Sequence, residues 1–493
     1  MNTEARFNLI DEPWIPIVDI GNVSLQQLFT EQRYRALGGN PVQKIALTKL
    51  LLAIAQAAYT PEDDEDWSSL GAMGMAEKCV AYLKKWHDRF WLYGEKPFLQ
   101  MPKIATAEIQ QFGAVLLGVS TGNTTVLTET QVEKNLSDAE KALLIISLMG
   151  FGLGVKKTDN SVVLSHGYCG KTNEKGKPSS AKFGPSIGYM GFMHSFLLGD
   201  SIWQTLWFNL FTAEQLKQLS TYPNGLGIAP WEQMPDGEYC EAARALQKSL
   251  MGRLVPLSRF CLLIEHGLHY SEGIAHDGYK EGLVDPSMAV KFSGKDPKVI
   301  WIDPEKRPWR YLTALLSFIA SGSGSDFDCF QVRLCLGRAR PYAQALGIWS
   351  GGLRVSSNAG EQFVSGTDDF VESNVILDSE NLGKLWFEYL SSEMEKLNDL
   401  SKTVYSATLN YFKKQKMDGD DKAKMASNLF WQLCEHKFED LLVACNPPYQ
   451  LKPMRKVFAH YARQVYDHFC PKNTARQLDT WAECQPNLKQ YFS

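Results

Sequence analysis

Apolar residues recur at helical spacing through the last quarter of the chain. In the stretch 382–412, Trp386, Leu390, Leu397, Val404 and Phe412 return to one face. Phe430, Cys434, Phe438, Leu441 and Cys445 step by four, four, three and four, and Met454, Phe458, Tyr461, Val465 and Phe469 by four, three, four and four. Each set reads as one stripe of a 3.6-period helix. Asp418-Gly419, Pro447-Pro448 and Pro471 punctuate the stripes, and 474–491 can supply a fourth helix. Long helices with short connections favour antiparallel neighbours, so the pattern predicts a four-helix bundle.

Upstream of about Ser373 the pattern is mixed and glycine is more frequent. Phe7 and Leu9 flank Asn8 as in a short strand, Pro13 and Pro16 suit a sheet edge, and Gly21-Asn22 reads as a turn. Ser24 with Gln27 forms a capping box that starts a helix at Leu25. Asn40-Pro41 places a cap and a first-turn proline before a run that is apolar on most faces and therefore buried. The acidic segment 59–67 reads as a turn or helix start. Residues 61–100 read as helical, with Trp86, Phe90 and Trp91 as core candidates. Residues 254–305 read as strands, with a hairpin turning at Glu265–Gly267. The predicted fold is α+β: a large mixed α/β domain over 1–373 followed by a four-helix bundle over 374–493.

The chain has 493 residues, 44% of them hydrophobic, with 13 Trp and 25 Phe. Length alone allows about three domains and an ample core. No uncharged apolar run approaches the ~18 residues of a membrane span. Asp11 and Glu12 break the apolar run at 7–19, so it does not read as a secretory signal. The ten cysteines contain no C-x-x-C pair and are expected to be reduced cytosolic thiols, mostly in the core. Net charge is −4, so a nucleic-acid partner would need locally concentrated positive charge. Residues 156–182 supply such a place, with lysines 156, 157, 171, 175, 177 and 182 against Asp159 and Glu174, a local +4. Interleaved Gly, Ser and Asn would let backbone amides approach phosphates or base edges. The composition equally describes a solvated loop. Lys452, Lys456 and Arg463 form a basic stripe on the third bundle helix, which ordinary exposure explains equally well.

Other candidate chemistry is sparse. Residues 150–156, GFGLGVK, look like a phosphate-binding loop, but a helix precedes them where a strand is needed, so these glycines read as a helix end. His266, His269, His276 and Asp277 invite a metal-dependent phosphohydrolase, although a hairpin would spread them along a strand and its turn. His166 with Cys169, Cys434 with His436, and His468 with Cys470 are isolated pairs. No nucleophile elbow, H-E-x-x-H or P-loop lysine motif occurs, which leans against an enzyme.

A series of landmarks adds a resemblance. The stretch FNLIDEPWIP (7–16) resembles the amino-terminal signature of the CasA-type large subunit of the type I-E CRISPR Cascade complex. KPFLQ (96–100), GVSTGNTTVL (118–127), FGPSIGYMGFMHSFLLG (183–199), RPWRYLTALLSF (307–318) and GGLRVSSNA (351–359) followed by DFVES agree with it in order. The resemblance covers essentially the whole chain. It implies a non-catalytic, cytoplasmic, cofactor-free subunit with no membrane contact and a mixed α/β domain before a four-helix bundle. Its implied partners are the PAM-bearing double-stranded target, the guide RNA through the complex, the other Cascade subunits and a helicase-nuclease. It implies PAM recognition, help in opening the target and recruitment of that nuclease, while guide pairing reads the rest of the sequence.

The resemblance also assigns residues. The family's contact loop for neighbouring subunits and the guide falls on Gly122, Asn123 and Thr124, and its aromatic position on Leu127 or Thr128, neither of them aromatic. The strand-separating wedge after Gly351-Gly352 falls on Ser356, Ser357 and Asn358. The glycine loop falls within 176–184, where Gly176 and Gly184 are the glycines, beside Lys171, Lys175 and Lys177. The minor-groove lysine before the GL…DP turn matches Lys280. A scaffold subunit that touches no DNA is the remaining alternative.

Overall fold

The computed structural model describes residues 4–116, 135–151, 158–159, 161–168, 191–321, 327–343, 345–355, 370–380, 382–446 and 450–492. They form two compact units: Met1–Trp309 with Gly324–Asn374, and Arg310–Ser323 with Val375–Ser493. The fold is α+β, a mixed unit and a helical one.

The mixed unit begins with strands β1 (Arg6–Asn8), β2 (Ile15–Ile17) and β3 (Gly21–Val23) and helix α1 (Leu25–Thr30). The expected capping box is present: Ser24 Oγ accepts from the Gln27 amide, and Gln27 Oε1 accepts from the Ser24 amide. Asn40 and Gln43 repeat it at the start of α2 (Pro41–Ala58). The turn expected at Gly21-Asn22 is corrected. Gly21 pairs with Ile17 in the β2–β3 ladder, and the loop is Val18–Ile20, with positive φ at Asp19 (62°) and Gly21 (102°). Helix α3 (Asp64–Lys85) starts at the Asp63 cap. The helical reading to residue 100 ends earlier, because β4 (Trp91–Tyr93) pairs with β1. Phe90 is core, while Trp86 and Trp91 are only half-buried.

Strand β5 (Ile109–Gln110) precedes α4 (Asp138–Gly150), which ends at the glycine of the 150–156 stretch. Then come β6 (His194–Leu198) and α5 (Ile202–Asn209). The indoles of Trp67 on α3 and Trp207 on α5 stack with centroids 4.2 Å apart. Each Nε1–H donates to the other residue's carbonyl, at 2.8 and 3.0 Å. The predicted hairpin is β7 (Arg259–Ile264) with β8 (Gly267–Glu272), closed by Ile264 opposite Gly267, and β8 also pairs with β5. Strands β9 (Val290–Lys291) and β10 (Lys298–Val299) form a second small hairpin. Helix α6 (Phe330–Ala339) precedes the central sheet, in which β11 (Ala345–Leu353) lies between β6 and β12 (Phe370–Asp378). Helix α2 packs against α3, α4, α5 and β11, and its buried face includes Ile45, Leu47, Leu50, Leu51 and Ile54.

The helical unit holds α7 (Lys384–Lys414), α8 (Asp420–Glu435), α9 (Phe438–Ala444), α10 (Leu451–Phe469) and α11 (Ala475–Glu483). Helices α7, α8 and α10 pack on one another, and α11 against α7. The stripe from Phe430 to Cys445 is not one helix. It breaks at His436–Lys437, where the Lys437 amide donates to the Cys434 carbonyl at 3.0 Å and the chain resumes as α9. All five stripe residues remain buried. Both carboxylate oxygens of Glu393 on α7 accept from Arg455 Nε on α10, at 3.1 and 3.0 Å, and one of them also contacts Nη2. Among the described residues no helix is long and apolar enough to cross a membrane.

Candidate nucleic-acid interface

Lys280 sits on a single 3₁₀ turn, Tyr279–Glu281, that projects it while its neighbours are locked. The Tyr279 ring enters an apolar cluster with Phe192, Val284, Met288, Val290 and Val299. Glu281 Oε2 accepts from the Gly278 amide at 2.9 Å, and Gly282 leaves the turn at φ 85°, a conformation that favours glycine. Thr221 Oγ1 donates to the Gly282 carbonyl at 2.8 Å and accepts from the Val284 amide at 3.0 Å. Lys280 itself is exposed.

The same segment runs directly into a buried polar cluster. Asp285 is fully buried and paired with Lys49 of α2, whose Nζ also donates to the Arg253 carbonyl at 3.3 Å. Asp285 Oδ1 accepts from the Ser287 amide at 3.0 Å and its hydroxyl at 2.7 Å. Ser287 Oγ in turn meets His194 Nδ1 at 2.8 Å. Burial pushes the Asp285 carboxyl up, but the Lys49 ammonium and the hydrogen bonds from Lys49 and Ser287 act against it, and the group stays below the usual carboxylate range. Burial, with nearby Lys49 adding to it, pulls His194 down to about 3 and keeps it neutral.

Strand β6 carries this cluster toward the Gly-Gly landmark. His194 lies opposite Gly351 in the β6–β11 ladder and bridges to Met288 on its other side. A Cβ on Gly191 would stand 2.6 Å from Val355 Cγ2 and 2.8 Å from the Trp301 ring. The residue that follows 169–190 is thus packed against the residue that precedes 356–369. Glu372, just beyond the latter segment, holds Lys44 Nζ at 2.7 and 2.8 Å and accepts from Trp349 Nε1 at 2.7 Å.

Most residues assigned by resemblance lie outside the described residues: Gly122, Asn123, Thr124, Leu127 and Thr128; Lys171, Lys175, Gly176, Lys177 and Gly184; Ser356, Ser357 and Asn358. What the structure does bring together is the Lys280 turn and the flanks of two of these segments. Sequence reasoning missed Lys49, Asp285 and His194. A lysine inside a helix apolar on most faces was the available signal, since a buried ammonium requires a partner.

The family model for the CRISPR-associated protein Cse1 matches residues 8–468. The chain belongs to the Cse1 family. A CasA/Cse1 protein of Thermus thermophilus is 31% identical over 160 residues, 29% of this chain and 32% of that relative's length. The crystal structure of Thermobifida fusca Cse1 superposes with a TM-score of 0.74 at 17% identity, over 99% of this chain and 96% of that one. The crystal structure of a CRISPR-associated protein from Thermus thermophilus gives 0.72 at 18%, over 99% and 98%. A chain of a CRISPR RNA-guided surveillance complex gives 0.70 at 16%, over 99% and 100%.

This Cse1-family chain does not assemble the histidine cluster considered from sequence. His266 is exposed at the hairpin turn, and His269 Nδ1 on β8 contacts the Ala107 carbonyl at 2.8 Å. His276 is buried, with Nε2 2.6 Å from the Pro256 carbonyl, while Asp277 is exposed. Burial, and then Arg253, lowers His276 to about 3. Among the described residues no group of three or more His, Cys, Asp and Glu is placed to hold a metal. Hairpin geometry explains the correction: strand alternation and the turn send the side chains to different surroundings. In the helical unit Lys452, Lys456 and Arg463 are exposed.

Proposed function

We propose that the chain is the large, non-catalytic DNA-binding subunit of a type I-E Cascade surveillance complex. It recognises the PAM duplex, helps open the target for guide-RNA pairing, and recruits the helicase-nuclease. The observation that carries this reading is an exposed lysine on a turn fixed by its neighbours, in a chain that matches the Cse1 family over 8–468. Minor-groove reading suits such a site. It needs small, polar or cationic donors held at fixed places rather than a helix inserted in the major groove, and it gives a tolerant code. Superposition on a chain of an RNA-guided surveillance complex supports the assembly context. In that context base pairing reads the target and the protein reads the PAM. We assign PAM recognition to a domain over 1–373 followed by a bundle over 374–493, with 122–128 contacting neighbouring subunits or the guide; the family match over 8–468 supports this organisation, while residues 310–323 fall in the compact helical unit.

The test is Ser356→Ala/Ser357→Ala/Asn358→Ala in the assembled complex. R-loop formation on a matched plasmid should slow while assembly with guide RNA is unchanged. Wild-type opening by the triple variant removes the wedge assignment. If Lys280→Ala also leaves duplex binding unchanged, the subunit is a scaffold.

A further inference from the structure

Helix α2 carries two lysines that face different parts of the mixed unit. Lys49 is buried and pairs with Asp285, five residues beyond Lys280. Lys44 reaches Glu372 on β12, just after the 356–369 segment. Five helical residues separate the two along the axis by about 7.5 Å. Between these anchors, Asp285 holds Ser287, Ser287 meets His194 Nδ1, and His194 lies opposite Gly351 on the strand that leads to Ser356. One chain of buried side chains thus runs from the Lys280 segment to the strand before the wedge position. A pair of apolar residues at the Lys49–Asp285 site would leave no buried charge unpaired, its cost lying in the Ser287 and Arg253 hydrogen bonds it leaves unmade. What an apolar pair lacks is direction: the ion pair and its hydrogen bonds accept only one register of the loop against the helix.

We propose that Lys49, Asp285, Ser287 and His194 form a positioning device that fixes the Lys280 turn relative to β11, so that PAM contact and strand opening are geometrically coupled. The inference rests on the DNA-facing roles proposed for Lys280 and residues 356–358. None of the four touches DNA. They act through the segments they hold.

The experiment uses the reconstituted guide-loaded complex and duplexes randomised at the PAM. Lys49→Met/Asp285→Leu replaces the pair with apolar side chains. Assembly should be kept, with the melting temperature lowered only by the loss of the Ser287 and Arg253 hydrogen-bond partners, and affinity for PAM-less duplex should not change. The ratio of PAM to PAM-less affinity should fall about tenfold, equivalent to about 1.4 kcal/mol. Ser287→Ala keeps the ion pair, removes only the hydroxyl between Asp285 and His194, and should lower the ratio in the same direction by less. An equal loss on both duplexes is what a purely structural role gives, and it overturns the proposal. So does a wild-type ratio in the assembled double variant while Lys280→Ala lowers binding, an outcome that leaves the function reading standing. Should the double variant fail to assemble, Ser287→Ala decides alone, an unchanged ratio counting against the device. An inert Lys280→Ala removes the Lys280 assignment and this inference with it, and the function reading falls as well only if the 356–358 triple variant also opens target like the wild type.

Discussion

Replacing Arg455 by Met strands a buried carboxylate between two bundle helices. The Glu393 side chain is 3% exposed and Arg455 is 15% exposed. Arg455 Nε lies 3.1 and 3.0 Å from the two oxygens, and Lys396 stands beside them at 3.5 Å. Breaking a buried pair from one side costs about 3–5 kcal/mol, because the remaining charge has lost both its partner and water. Lys396 retains part of the interaction, which places Arg455→Met near the lower end, about 3 kcal/mol. Glu393→Leu leaves a guanidinium that can turn toward solvent, so it should cost about 1–2 kcal/mol. The double variant Glu393→Leu/Arg455→Met removes both charges and should lie within about 1 kcal/mol of the parent. For a helical unit of this size, about 3 kcal/mol lowers the melting temperature by roughly 10 °C. The two compact units need not unfold together, so amide exchange of α7 and α10 is the appropriate readout. A single variant costing under about 1 kcal/mol, or a double variant showing the plain sum of the singles, refutes the reasoning.

Three further outcomes are expected. Lys280→Ala should weaken binding of the complex to PAM-bearing duplex and shallow its salt dependence by roughly 0.9 per lost phosphate contact, and titrations at several salt concentrations check both. Neutralising Lys171, Lys175 and Lys177 together should weaken PAM and PAM-less duplex alike, since phosphate contacts carry no sequence information. Wild-type affinity at low salt would instead mark a solvated loop. Acid should destabilise the mixed unit through His194 and His276, whose folded values near 3 lie below the ordinary 6.5. The unfolded chain then binds the extra protons, so the stability is complete above about pH 6.5 and falls by roughly 1.4 kcal/mol per histidine per pH unit toward pH 3. A His276→Gln variant should decline less steeply between pH 6 and 5, as followed by urea unfolding.

Features set by near neighbours were legible in the sequence. The caps at Ser24 and Asn40 involve residues three apart, and the hairpin at Glu265–Gly267 is closed by adjacent strands. The turn before β3 was displaced because the positive φ of Gly21 ends the loop while its backbone already belongs to the ladder. The break at His436–Lys437 carries neither glycine nor proline, and a tight turn there keeps the stripe facing inward, so periodicity could not reveal it. Least legible was the Lys49–Asp285–Ser287–His194 cluster. Its members come from distant parts of the chain, and only folding shows which carboxylate answers a buried lysine. The DNA-facing assignments came from family resemblance, and of them Lys280 alone lies among the described residues.

The packing of Gly191 against Val355 and Trp301 bears on how such a protein can change over generations. The framework fixes where the 169–190 connection ends and where the 356–369 connection begins, whatever residues lie within them. Doubling a connection's length costs only about 0.6 kcal/mol of closure entropy. By this term a change in the length of either segment costs little, while any side chain at residue 191 meets Val355 and Trp301. Under the DNA-facing roles proposed for them, exchanging these two segments between relatives would retune recognition while the framework that anchors them stays as it is.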